Sequence, residues 1–239
     1  MERIPTDKGL AVLRLKAQLA QVAVARIATL DSPSAEQGRT ALRHWQAARL
    51  ARTHAGLVGD PKYAAAARFF LADLYGPQGH AASEDSVRRI LPLMKKTLPA
   101  SALETIADAI ELDALSESLD ADMAKALDES AGAIDAAAYG AAYRRVGRRA
   151  DRARQIDLIR QVGQALEQLT EARFVGVALM AMRKPAQAAG FGELQGFLER
   201  GYSAFRKMGG ARIFTEMVTG REAAISAALF AGDDYSLSG

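Results

Sequence analysis

The chain of 239 residues contains no cysteine, which excludes disulfides, thiolate metal sites and cysteine nucleophiles. Aromatic residues make up only 6% of the sequence, and clusters of Val, Ile and Thr, which favour strands, are few. The longest apolar stretch, near Phe174–Met182, is shorter than the roughly 20 residues that span a bilayer. The N-terminus lacks the apolar core of a secretory signal. We therefore expect a cytoplasmic protein with no membrane-spanning segment.

The residues that are abundant favour helices. Hydrophobic residues make up 49% and charged residues 25% of the chain, as is usual for a globular protein. Alanine, leucine, arginine and glutamate, all strong helix formers, are frequent. We find no repeat of fixed period and no low-complexity linker. The sequence predicts an all-α fold, a single-domain multi-helix bundle of about 8–10 helices over residues 1–239, with 1–6 and 232–239 frayed.

Cap and breaker residues place the helix boundaries. Asp60 reads as an N-cap with Pro61 at the first helical position, and Ser101 with Glu104 reads as a capping box. Residues 185–192 read as a turn that begins at a proline. The first predicted helix begins near residues 5–7 and is stopped at 31–34. The others span about 34–58, 61–75, 83–98, 102–119 with 122–127 as its candidate continuation, 135–170, 172–183, 193–208 and 211–231.

Two ionisable residues lie on helix faces that are otherwise apolar. The apolar arc of the helix at 61–75 covers more than half of its circumference, which predicts a buried central helix, and Asp73 lies within that arc. Arg221 lies near the centre of the apolar stripe of the last helix. A buried carboxylate must be paired, so Arg221 could pair with Asp73, or with Glu117. We interpret these charges as a core salt bridge, or as a ligand pocket that includes Tyr75.

The segment from Tyr139 to Thr170 changes its apolar face near Asp151. Either the helix breaks there, or its two ends pack against different partners. Its first half carries four arginines on the side away from the tyrosines, namely Arg144, Arg145, Arg148 and Arg152. Such a stripe could contact phosphate or nucleic acid. The alternative is the solvated face of an amphipathic helix, and four arginines do not decide between the two.

Signatures of catalysis and of metal binding are missing. The three histidines, His44, His54 and His80, are not preceded by the Glu-x-x-His spacing of di-iron bundles and form no H-E-x-x-H motif. His44 and His54 are about 15 Å apart along one helix, too far to share a metal. Glycine-rich nucleotide motifs and the G-x-S-x-G elbow are absent. We expect no cofactor and no metal, and we lean against an enzyme.

One stretch resembles a known family. Residues 69–77, FFLADLYGP, resemble the F-F-x-x-x-L-Y-G-P signature of an uncharacterised bacterial all-helical family. The segments 197–205 and 221–232 are also similar to that family, so the resemblance covers the chain from about Leu50 onward. The family carries an acidic and basic stretch after the signature, where this chain has Gln-Gly-His-Ala at 78–81. The resemblance implies a single helical domain and implies no chemistry.

Three hypotheses of function follow from the sequence. The first is a non-catalytic helical protein that binds a partner protein or a small ligand, with a homodimer as one expected form. The alternative is an enzyme or ligand carrier whose buried polar pocket contains Asp73, Tyr75 and Arg221. The second alternative is nucleic-acid binding through the arginines at 144–152, which we consider the less favoured partner.

Overall fold

The computed structural model describes residues 7–27, 33–71, 91–92, 94–95, 100–128, 133–171, 173–188 and 192–237. These residues form ten α-helices and one 3-10 helix, and no strand occurs among them, so the all-α prediction is confirmed. The α-helices are α1 (Asp7–Ile27), α2 (Pro33–Thr53), α3 (Ala55–Gly59), α4 (Ala64–Phe69), α5 (Ala100–Asp128), α6 (Ala136–Val146), α7 (Arg149–Glu171), α8 (Arg173–Ala188), α9 (Gly192–Met208) and α10 (Arg212–Ala231). None of the described helices is both long and apolar enough to cross a membrane.

Several boundaries differ from the predicted ones. The helix expected over 34–58 is interrupted by a turn at His54. Ser101 lies inside α5 instead of capping it, and its carbonyl accepts a hydrogen bond from the Thr105 hydroxyl at 2.9 Å. Pro185 does not end α8, which continues to Ala188. Pro185 is exposed, so water can satisfy the carbonyl that loses its helical donor there.

Apolar side chains form three clusters. The first joins α1 to the N-terminal half of α5, and the second joins α3 and α4 to α9 and to the start of α10. The third joins α2 and the C-terminal end of α5 to α6 and the later part of α10. The helix α5 packs against α1, α2, α6 and α7. It therefore connects the first cluster to the third.

The segment predicted to be a buried central helix begins with a turn over 61–63, in which Pro61 and Lys62 are exposed, and is helical only from Ala64. Ala64, Ala66, Ala67 and Phe69 of α4 are buried, and α4 packs against α3 and α9. Asp60, the predicted N-cap, accepts a hydrogen bond from the backbone N–H of Lys62 at 2.8 Å. Beyond Leu71 the segment lies outside the described residues.

The helix predicted over 135–170 breaks at Gly147 and Arg148, slightly before the expected point at Asp151. Both residues have positive φ, 69° for Gly147 and 47° for Arg148. Arg148 is held in this unusual conformation by its side chain, which pairs with Asp122 at 2.6 Å and with Asp151 at 2.7 Å. The break lets α6 and α7 bury different faces, which explains the change of apolar face in the sequence.

The chain after Gly232 is ordered over Asp234–Leu237, where the sequence predicted fraying. These residues form a 3-10 helix, and the Leu237 side chain is buried in the cluster shared by α6 and α10. Asp234 pairs with Arg144 at 2.6 Å. Gly140 makes room for this carboxylate, since a Cβ at that position would lie 1.9 Å from Asp234 Oδ1.

We expect Gly147→Ala to lower the free energy of unfolding by about 1–3 kcal/mol, because its backbone (φ 69°, ψ −107°) is strained for any residue with a Cβ. The matched control is Gly38→Ala. Gly38 lies inside α2 with no atom within 4 Å of a new Cβ, so this change should raise the stability by about 0.5–1 kcal/mol. Urea unfolding measures both free energies. Effects of the same sign would contradict the positive φ of Gly147.

Candidate functional site

The arginines at 144 and 145 bind groups of this chain. Arg144 holds both carboxylate oxygens of Asp234, at 2.6 and 3.1 Å, and donates to the Leu229 carbonyl at 3.1 Å. Arg145 donates to the carbonyl of Ala126 at 3.0 Å. Arg148, like Arg145, reaches the C-terminal part of α5, where it pairs with Asp122 one turn before Ala126. These three arginines of the predicted stripe are therefore held by contacts within the chain.

Arg152, the fourth arginine, points into the bundle and is only 6% exposed. Its guanidinium lies 4.7 Å from the ring centre of Tyr143 and donates to Gln155 at 3.4 Å. The Tyr143 hydroxyl is 2.8 Å from the Ser226 hydroxyl. Burial raises the pKa of Tyr143, and the charge of Arg152 and the hydrogen bond with Ser226 offset this only in part. Arg152 thus contributes to the interior.

Of the predicted pocket residues, only Arg221 lies in the described part of the chain. It is exposed instead of facing inward, and its guanidinium donates to the carbonyl of Thr53. The neighbouring Glu222 takes the inward position on α10. Asp73 and Tyr75 lie outside the described residues. Glu117, the other acid considered as a partner of Arg221, binds arginines of α2 instead.

The interior contains a set of polar residues from five helices and one turn, which we call the polar core. Its members are Arg39, Arg43, Gln46 and Arg49 of α2, His54 of the turn, Glu117 and Asp120 of α5, Tyr143 of α6, Arg152 of α7, and Glu222 and Ser226 of α10. The α2 residues are spaced by three or four, so they share one face of the helix. Along α5 and α10, the polar core lies between residues of different apolar clusters.

The α5 carboxylates receive the first arginines of α2. Glu117 pairs with Arg43 and, at 3.4 Å, with Arg39. Asp120 accepts a hydrogen bond from Gln46 at 3.1 Å and lies 3.8 Å from Arg43. Burial raises the pKa of Asp120, and the Gln46 hydrogen bond and nearby arginines offset this only in part. Burying the ionised carboxylate of Asp120 therefore costs free energy, and its partners reduce that cost.

The last arginine of this face pairs with α10. Nη1 of Arg49 lies 2.6 and 2.7 Å from the two carboxylate oxygens of Glu222. His54, only 3% exposed, contributes Nε2 at 3.0 Å from Glu222 Oε1. Burial alone would raise the pKa of Glu222, but the His54 hydrogen bond and the charge of Arg49 outweigh it, and the net shift is downward. An ionised carboxylate only accepts, so the proton lies on Nε2.

This arrangement stabilises charges by pairing them directly. Each carboxylate of the polar core already accepts from an arginine or glutamine. The described residues contain no group of three side chains suited to a metal ion. Two surface clefts, of about 330 and about 630 Å³, are lined by other residues, one between α5 and α6 and the other along α2, α3 and α4. The geometry is that of an ionic network that fixes helix positions, in which some buried nitrogens, among them His54 Nδ1 and Arg152 Nη2, make no hydrogen bond with a described group.

The surface side of α10 is a second feature of interest. Its exposed residues include an apolar line that we call the outer face, formed by Ile213, Met217, Gly220, Ala224, Ala227 and Ala231. Ile213 is 47% and Met217 46% exposed. A Cβ at Gly220 would have no atom within 4 Å, so this part of the face is open. The opposite side of α10 buries Phe214, Val218 and Ile225, so the helix has apolar residues on both sides.

Sequence reasoning missed most of the polar core. It singled out Glu117 and Arg152 and considered His54 as a metal ligand, but it passed over the arginines of α2. The available signal was the spacing of the α2 polar residues, which recur every three or four positions as core residues do. On α10, Arg221 and Glu222 lie about 50° to either side of the centre of the apolar stripe, so the stripe alone does not choose between them. The burial of Thr215 and Thr219 places Glu222 on the buried side.

A family model described as a domain of unknown function, DUF8198, matches residues 26–236. Because the match covers most of the chain, the protein belongs to this family, in agreement with the expected relationship to an uncharacterised one. A search of curated proteins found no match, and neither did a search of solved structures. The family description assigns no activity, so any function must be argued from the geometry.

Removing the Glu222 charge tests the polar core. We expect Glu222→Gln to lower the free energy of unfolding by about 3 kcal/mol, because it leaves the buried Arg49 without its carboxylate. The control, Arg160→Gln, breaks the exposed pair with Asp157, in which the two side chains are 40% and 43% exposed. It should cost less than about 1 kcal/mol. Equal losses in urea unfolding would contradict a stabilising role for the buried pair.

Stability should also fall in acid through Glu222. Its pKa in the folded protein lies below the unfolded value of 4.5, so its contribution is complete above that pH and is lost as the pH falls through the folded pKa. The free energy of unfolding, measured from pH 7 down to about 3, should fall less steeply for Glu222→Gln. The slope should not vanish, because the pKa of Glu111 is also lowered. Identical slopes would contradict the assignment.

Proposed function

We propose that this protein is a non-catalytic, cytoplasmic interaction protein whose first partner is a second copy of itself. The observation that carries the proposal is the number of large apolar side chains at the surface of the described helices. Eight of them are 41–63% exposed: Leu10, Leu13, Val177, Met180, Met182, Leu198, Ile213 and Met217. Six of them form three pairs that are three or four positions apart and so share one helix face, namely Leu10 with Leu13, Val177 with Met180, and Ile213 with Met217. Contiguous apolar surface marks protein interaction sites.

The interior supports a role without catalysis. A catalytic group must be free to exchange protons or to bond to a substrate, whereas the carboxylates of the polar core are held by cations of the same chain. The enzyme or ligand-carrier alternative places Arg221 in a pocket with Asp73 and Tyr75. It loses support because the Arg221 guanidinium is at the surface. Nucleic-acid binding would require Arg144 and Arg148 to release carboxylates that they bind now.

We further infer that the F-F-x-x-x-L-Y-G-P stretch at 69–77 is a signature of the family in bacteria. Its first two residues support this inference. Phe69 and Phe70 are each 7% exposed and lie in the cluster that joins α4 to α9 and α10. A signature of this type would then preserve packing between helices that are distant in the sequence.

Native mass spectrometry of freshly purified protein tests the proposed function. We expect a species of twice the 25.5 kDa chain mass with no bound small molecule or metal. The dimer fraction should increase between about 1 and about 100 μM protein, as for an interface of modest size. A monomer at every concentration would contradict the proposal. A co-purifying small molecule would favour the ligand-carrier alternative instead.

A further inference from the structure

The outer face of α10 has the spacing of a coiled-coil seam. Its six residues, at 213, 217, 220, 224, 227 and 231, follow one another at intervals of four, three, four, three and four. This alternation is the a and d pattern of a heptad repeat, which places apolar residues along one line for a second helix. All six are exposed. The chain thus presents a helix-binding seam for which its own described helices supply no partner.

We propose that two copies of this chain pair in parallel through the outer face of α10. The inference rests on the proposed homodimer and specifies its surface and its orientation. A two-fold axis requires the same patch on both copies, and a single seam of one helix width meets that requirement. Gly220 and Ala224, at its middle, leave the two backbones free to approach closely.

The charges beside the seam favour a second copy in the parallel orientation. In the heptad numbering, Glu216 is a g position on one edge and Arg221 is an e position on the other edge, five residues later. A parallel pair brings each g residue next to the e residue five positions later in its partner. Glu216 of each copy would therefore meet Arg221 of the other, at both sides of the seam.

Both side chains can reach such a partner. Glu216 now pairs at 3.3 Å with the exposed Arg212 of its own helix, a contact that solvent weakens. Arg221 is exposed and donates to the Thr53 carbonyl, which already holds it along the edge of α10. In the parallel dimer, these two residues form the charged borders of an apolar seam.

An antiparallel pair is disfavoured by the same charges. With the seams fully overlapped, residues of the same edge face each other, and the centre of symmetry lies near Glu222. Arg221 would then lie about 3 Å along the axis from its own copy in the partner, so two like charges would be close. Glu216 would face only alanine and phenylalanine positions of the same edge. The parallel arrangement avoids both problems.

Single cysteines test the face and its orientation without interference, because the chain has no cysteine of its own. In the parallel dimer, position 227 meets itself, so Ala227→Cys should form a disulfide-linked dimer under mild oxidation. The control is Ala153→Cys, at an exposed alanine of α7. We expect at least about tenfold faster crosslinking at 227 than at 153, since a disulfide requires Cα atoms within about 7 Å.

A mixture of two variants separates the orientations. In the antiparallel arrangement, position 227 faces 217 of the partner and lies about 15 Å from its own copy. Equal amounts of Met217→Cys and Ala227→Cys proteins should crosslink only between like chains if the pair is parallel. Predominantly mixed disulfides, identified by mass, would overturn the orientation. No crosslinking above the Ala153→Cys control, with a native dimer still present, would overturn this face and leave the proposed function intact.

Charge exchange provides an independent test. Glu216→Lys should weaken the dimer about fivefold, because it places two positive groups together at both edges of the seam. Adding Arg221→Glu to the same chain should restore the wild-type dissociation constant, measured by sedimentation. A double variant that stays as weak as Glu216→Lys would overturn the proposed pairing of Glu216 with Arg221.

Discussion

The pairing of the α2 arginines with carboxylates of α5 and α10 is the interaction on which the rest of the structure depends. Arg49 and Glu222 are 173 positions apart in the sequence, and their contact joins an early helix to the last one. A buried carboxylate that loses its partner costs several kcal/mol. The helices are therefore limited to the register in which these pairs form. Apolar contacts, which have no direction, would fix that register less strictly.

The ionic network of the polar core directs the search for function to the surface. The interior side chains that are most capable of acid–base chemistry, among them Glu222, His54 and Asp120, hold helices together through hydrogen bonds and ion pairs. The surface is then the more informative place to look for activity. There α10 differs from an ordinary amphipathic helix, because its buried side contains Glu222 whereas its outer face is apolar. One helix thus connects the ionic interior to the proposed dimer surface.

Much of the fold could be predicted from the sequence because helix signals are local. The start of α1 and the boundaries of α9 and α10 agree with cap residues and apolar spacing to within one or two residues. The break between α6 and α7 was visible as a change of apolar face, because each half buries a different side. The turn at His54 and the continuation of α8 past Pro185 were not predicted. Both depend on contacts made by neighbouring helices and on solvent exposure.

The sequence by itself determined the fold class and the lack of metal and nucleotide motifs. Only the tertiary structure decided which charges are buried together. Periodicity places Arg49 on one face with Arg43 and Gln46, but it does not show which helix that face meets. It also could not show that Arg221 is exposed and Glu222 is not, since the two lie at equal angles on either side of the apolar stripe. Pairing across 173 positions is a property of packing, which local signals do not contain.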